Sequence, residues 1–108
     1  MINNSEIIKH LKEILKDNQI EYLKILMFGS RARNDFDEES DWDFLIVIKP
    51  PLNLKIKKEL WLKIYNQFHE RVPLESIDLI LKDGESFEKE KTIANTISNE
   101  AYLEGIEV

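Results

Sequence analysis

Asp41 and Asp43 stand two residues apart, and the chain then runs straight into Phe44-Leu45-Ile46-Val47-Ile48. On a strand, residues i and i+2 project from one face, so the two carboxylates converge while Trp42 points the other way. Like charges so placed repel, and one tends to stay protonated unless a divalent cation neutralises both. Ligands that are all oxygen suit Mg2+ or Mn2+. Asp78 repeats the theme by interrupting Ile77, Leu79, Ile80 and Leu81, and a carboxylate inside such an apolar run needs a partner. Three carboxylates from adjacent strands could hold two ions roughly 3.5–4 Å apart, the arrangement that activates an attacking oxygen and stabilises a leaving one in phosphoryl transfer.

Gly29-Ser30 closes the apolar run before the acidic segment. Glycine lets the backbone turn tightly and approach a ligand without a Cβ in the way. A phosphate could dock there on the Ser30 hydroxyl and the following amides, helped by the dipole of a helical turn starting near Arg31. Arg31 and Arg33 add guanidinium groups suited to phosphate oxygens. Each feature alone has a plainer reading. Gly-Ser is usually a turn, Asp-x-Asp beside Asp35, Asp37, Glu38 and Glu39 could be a solvated acidic loop, and the arginines could form surface ion pairs of little energy. Their joint occurrence, in this order and at strand ends, favours a site.

The positioning elements follow from periodicity. Ile7, Ile8, Leu11, Ile14 and Leu15 predict an amphipathic helix over 4–17. The run 22–28, apolar except for Lys24, predicts a buried strand. Residues 31–40 read as a polar connection, and 41–48 as a second strand closed by Pro50-Pro51. Asn53 can cap a helix carrying Ile56, Leu60, Trp61, Ile64 and Phe68 on one face, with Pro73 marking its end. Residues 75–82 predict a third strand, Asp83-Gly84 a turn, and 86–102 a last helix. The order helix, strand, strand, helix, strand, helix implies one α/β domain over 1–108, with a small mixed β-sheet flanked by helices. The apolar C-terminal segment 101–108, ending IEV, could pack on another chain.

Composition narrows the ligands. The net charge of -6 argues against tight non-specific nucleic-acid binding, so no direct nucleic-acid partner is expected. No cysteine is present, which removes disulfides, thiol nucleophiles and thiolate metal sites. Neither a signal peptide nor a membrane span is legible, and a cytoplasmic protein is expected. His10 and His69 belong to no metal-binding spacing, and Trp42, Trp61 and Phe68 read as core or interface residues.

Residues 29–43, GSRARNDFDEESDWD, resemble the signature of the polymerase-β-like nucleotidyltransferase superfamily: Gly-Ser, ten intervening residues, then Asp-x-Asp leading into an apolar strand. The wording GSRAR and the late Asp78 resemble the minimal nucleotidyltransferase family in particular. The resemblance implies the polymerase-β palm-like fold, ATP as donor held at Gly29, Ser30, Arg31 and Arg33, and two Mg2+ ions (or Mn2+) on the catalytic Asp41, Asp43 and Asp78. It implies, further, an antitoxin that adenylylates a tyrosine on a helical HEPN-type toxin partner. With no residues left for an acceptor-binding domain, acceptor specificity is expected to come from another polypeptide or a second copy. Two departures stand out: Asn34 occupies a position where glycine is common, and Phe44 replaces an aliphatic residue. The alternatives are a non-catalytic antitoxin that neutralises its partner by occlusion and, ranked last, an aminoglycoside-type nucleotidyltransferase.

Overall fold

A computed structural model describes residues 3–108. Its elements in chain order are α1 (Asn4–Asp17), β1 (Tyr22–Phe28), α2 (Gly29–Arg33), β2 (Trp42–Ile48), α3 (Leu54–Arg71), β3 (Ile77–Asp83), α4 (Gly84–Glu90), α5 (Ile97–Glu104) and β4 (Ile106–Glu107). The sheet runs β3-β2-β1-β4. β1 is antiparallel to both β2 and β4, whereas β2 and β3 are parallel and linked through α3. The expected mixed α/β sheet is therefore present.

β2 is buried on both faces from Phe44 onward, which is why it reads as a continuous apolar run instead of an alternating one. Trp42, Phe44, Ile46 and Ile48 pack with Ile25, Met27, Leu79 and Leu81 against Ile7, Leu11, Ile14 and Leu15 of α1 and Ile64 and Phe68 of α3. Leu45 and Val47 point the other way and pack with Leu26, Phe28, Phe87 and Ala101 beneath α4 and α5. Side-chain parity then puts Asp43 on the α5 face with Leu45, and Asp78 on that same face with Ile80.

Side-chain caps define several helix starts. Asn3, Asn53, Asp83 and Thr96 accept from the amides of Glu6, Ile56, Ser86 and Asn99. Two expectations change. Asp83-Gly84 is not a free turn but the N-cap and first residue of α4. The single helix expected over 86–102 is two, because Thr96 leaves the helical path and turns inward: its hydroxyl donates to the carbonyls of Glu90 and Ile93 and accepts from Asn99. Asn95 just before it sits at φ 68°. The 101–108 segment is tied to the sheet, with Ala101 buried, Ile106 and Glu107 paired with Met27 and Leu26, and the Val108 amide donating to the Ile25 carbonyl at 2.9 Å, while Tyr102, Leu103 and Ile106 keep exposed apolar surface.

Asp83 joins three elements. Oδ2 accepts from the Leu52 amide before α3 at 2.9 Å, and Oδ1 accepts from Ser86 in α4 at 2.8 Å. These amides hold its carboxyl below the ordinary range. A carboxylate lowered on folding contributes stability that is present above its unfolded pKa and lost as pH falls through the folded value. Asp83→Ala is expected to lose about 1–2 kcal/mol at pH 7 in urea denaturation. The gap between parent and variant should shrink below the ordinary carboxylate range, and an equal gap at pH 7 and pH 2 would contradict the assignment.

Candidate active site

Three strand ends meet at one corner of the sheet. Asp43 is directly opposite Phe28 across the antiparallel β1–β2 pair, and directly opposite Asp78 across the parallel β2–β3 pair. Gly29 follows Phe28 with φ +72°, a left-handed conformation that glycine adopts without strain. The position also needs the missing side chain, since a Cβ there would overlap the Asp43 carboxylate. The Gly-Ser bend and the Asp-x-Asp strand are thus one fitted unit.

The bend opens α2, whose first-turn amides receive no side-chain cap. Gly29, Ser30, Arg33, Asp41, Asp43 and Glu100 line a cleft of about 550 Å3. Asp43 is half-buried there, and its pKa is pushed up to about 6. Burial is the largest cause, followed by the negative charges of Asp78 and Asp41, a proton shared with Asp78, and the charge of Glu100. Asp78 is exposed at the neighbouring strand position. Among the described residues no three acidic or imidazole side chains stand closed as a ready-made metal cage. The chemistry of the donors nevertheless fits a divalent cation. They are oxygen-only and they crowd one another, and burial together with the charges of Asp78 and Asp41 raises the pKa of Asp43.

The two arginines have different fates. Arg33 reaches the cleft, where its Nε donates to Asp35 at 3.2 Å and its Nη1 to Glu104 at 3.1 Å. Arg31 does not. It is 3% exposed, its guanidinium stacks between Phe36 at 4.6 Å and Trp42 at 4.0 Å, and Nη2 donates to the Ser40 carbonyl at 2.9 Å. The expectation of a phosphate contact at Arg31 is therefore replaced by a structural one: Arg31 ties the 34–41 loop to β2. Stacking on Trp42 spends the planar group on the core, where a lysine could not substitute.

Glu100 enters from α5 and was not singled out in the sequence. Burial, its neighbour Glu104 and Asp78 raise its pKa, while Arg33 opposes them. The one signal for it is the like-charged i,i+4 pair Glu100/Glu104, which disfavours an isolated helix and so hints at a site.

Comparison with known proteins agrees with this geometry. The model of the nucleotidyltransferase domain matches residues 7–103. "Putative protein adenylyltransferase MJ0141" of Methanocaldococcus jannaschii is 36% identical over 107 residues, spanning 95% of this chain and 96% of that protein. Among solved structures, a chain of a toxin-antitoxin complex with AMP-PNP superposes with TM-score 0.63 at 16% identity, covering 97% of this chain and 72% of that one. A chain of the toxin-antitoxin MntA-HpeT, in a tyrosine-to-alanine mutant form, superposes with TM-score 0.61 at 18% identity, covering 100% of this chain and 72% of that one. At these identities the two structures show a shared fold.

The raised pKa of Asp43 carries a stability consequence. A group whose folded pKa exceeds its unfolded value contributes stability that is fully present below the unfolded value and lost as pH rises through the folded one. In metal-free buffer, Asp43→Asn should therefore melt above the parent at pH 7, with the advantage vanishing towards pH 4. Thermal melts from pH 4 to pH 8 in a chelator check this. A variant that melts below the parent at pH 7 would mean that Asp43 is stabilised, not crowded.

Proposed function

The chain belongs to the nucleotidyltransferase domain family, and from that membership we propose that it transfers AMP from ATP, with Mg2+, to a tyrosine hydroxyl on a helical HEPN-type toxin, acting as its antitoxin. The observation that carries the reading is the in-register pairing of Asp43 with Asp78 beside the Gly29-Ser30 bend. The archaeal relative, matched over nearly its whole length, supports the adenylyl group and a protein acceptor by its name. The toxin-antitoxin structures, one with AMP-PNP and one a tyrosine mutant, support an ATP donor, a toxin partner and a tyrosine.

Each residue has a task that its position allows. When bound by Asp41, Asp43 and Asp78, a divalent ion supplies positive charge against the triphosphate and the charge that develops during transfer. Gly29 lets the triphosphate approach the backbone, and the Ser30 hydroxyl with the uncapped amides of α2 donates to phosphate oxygens. Arg33 adds a guanidinium to the same cleft. Its present pairs with Asp35 and Glu104 are solvent-exposed and cost little to exchange for a phosphate. Asp78, exposed beside Asp43, accepts the hydroxyl proton as the acceptor oxygen bonds to the α-phosphorus; the bond from that phosphorus to the bridging oxygen breaks, and pyrophosphate leaves. Arg31 acts on none of these atoms and positions the loop that carries Asp41.

The proposal is tested with purified chain, toxin, labelled ATP and Mg2+, reading transfer by intact mass and toxin activity in parallel. Asp41→Asn with Asp43→Asn should abolish AMP addition, and Asp78→Asn should slow it by at least about 10²-fold, the scale of a lost general base. Neutralisation of the toxin should require ATP. Full neutralisation by the double variant without nucleotide would overturn the catalytic reading in favour of occlusion.

A further inference from the structure

Beside the catalytic cleft lies a second groove of about 700 Å3, formed by the break between α4 and α5 and by one side of α5. Asn95, Ile97, Asn99, Glu100, Leu103 and Glu104 line it. Glu100 also lines the cleft, and the Arg33–Glu104 ion pair joins a residue of the cleft to one of the groove. The two depressions therefore adjoin, with Glu100 common to both. Hydrogen bonds fix the turn that forms one wall. Thr96 is held by three hydrogen bonds, and Asn99 Nδ2 donates to the Lys91 carbonyl at 2.7 Å.

The lining specifies an occupant. It carries two carboxylates, Glu100 and the Arg33-paired Glu104, and neither lysine nor arginine is among its described lining residues. It also presents Leu103, 73% exposed, on the rim with Ile97. An acidic wall with an apolar rim suits a segment offering basic and apolar side chains, and disfavours one carrying phosphates. We infer that this groove is the acceptor subsite: it seats a basic, tyrosine-bearing segment of the modified protein, with Glu100 guiding the hydroxyl from the groove towards Asp78. Glu100 is here a positioning residue. The inference rests on the transfer reading above and adds to it where the acceptor lies and what charge it carries.

The test uses isotope-labelled chain with Mg2+ and AMP-PNP, probed by NMR with two synthetic pentapeptides, Arg-Leu-Tyr-Leu-Arg and Glu-Leu-Tyr-Leu-Glu, both blocked at their ends. The basic peptide should shift the amides of residues 95–104, and the acidic one should bind at least about tenfold more weakly. Leu103→Arg should weaken the basic peptide while Mg2+-AMP-PNP still shifts residues 29–43. Leu103→Arg should also raise the KM for the acceptor and leave the KM for ATP unchanged, a split that general loss of structure would not produce. A footprint at 95–104 from AMP-PNP with none from the peptide would assign the groove to the nucleoside and overturn the inference. Equal affinity for both peptides, or no footprint from either, would overturn it as well. Failure of Mg2+-AMP-PNP to shift residues 29–43 would be a different result, since it removes the transfer reading itself.

Discussion

The site depends on two aspartates being held side by side across a parallel strand pair. Asp43 and Asp78 face each other in register, and Phe28 on the opposite side of Asp43 brings the Gly29 bend against the same carboxylate. Electrostatics opposes this arrangement, as the raised pKa of Asp43 records. Register is what enforces it. A slip of one residue along β2 would carry Asp43 into the α1–α3 core and turn Trp42 and Phe44 towards α5, so every apolar contact of the strand resists the slip.

The magnitudes favour the register. Full burial of a Leu, Ile, Val or Phe side chain contributes roughly 1.5–3 kcal/mol, and β2 alone buries Phe44, Leu45, Ile46, Val47 and Ile48 to 1% exposure or less. That sum exceeds the cost of crowding one half-exposed carboxylate by a wide margin. The double covering also explains the economy of the fold: helices on both faces let a four-stranded sheet bury β2 from Phe44 to Ile48 and β1 from Ile25 to Phe28.

Much of this arrangement was legible in the residues. The helix over 4–17 and the strand over 22–28 coincide with α1 and β1, because one has an unbroken helical period and the other an apolar run stopped by glycine. The juxtaposition of Asp43 and Asp78 was readable because each carboxylate interrupts or opens an apolar run, although Asp78 lies exposed on the edge strand β3 and not inside a buried one. What escaped was decided by tertiary contact. Arg31 and Arg33 look alike in sequence, yet only the packing of Phe36 and Trp42 determines that one turns inward and the other reaches the cleft. The break at Thr96 depends on a hydroxyl that can cap a following helix or bond the preceding one, and here it does both. β4 is two residues long, too short for periodicity to register, and exists because the edge of β1 offers it partners.

Asp41 is placed differently from its two companions. It precedes β2, so the sheet fixes Asp43 and Asp78 but not Asp41, whose position follows from the 34–41 loop. Two features set that loop. Asn34 ends α2 at φ 64° and ψ 29°, the left-handed conformation in which a glycine would be most comfortable and asparagine is among the residues best able to replace it. An asparagine loses less backbone freedom on folding than a glycine at a site both can occupy, so Asn34 holds this turn at a smaller entropic cost than glycine would. At the other end, Arg31 grips the Ser40 carbonyl, one residue before Asp41, from a stack on Trp42, one residue after it. The third carboxylate is therefore aimed by a buried arginine and a left-handed asparagine, and the GSRAR segment serves the site by fixing this loop.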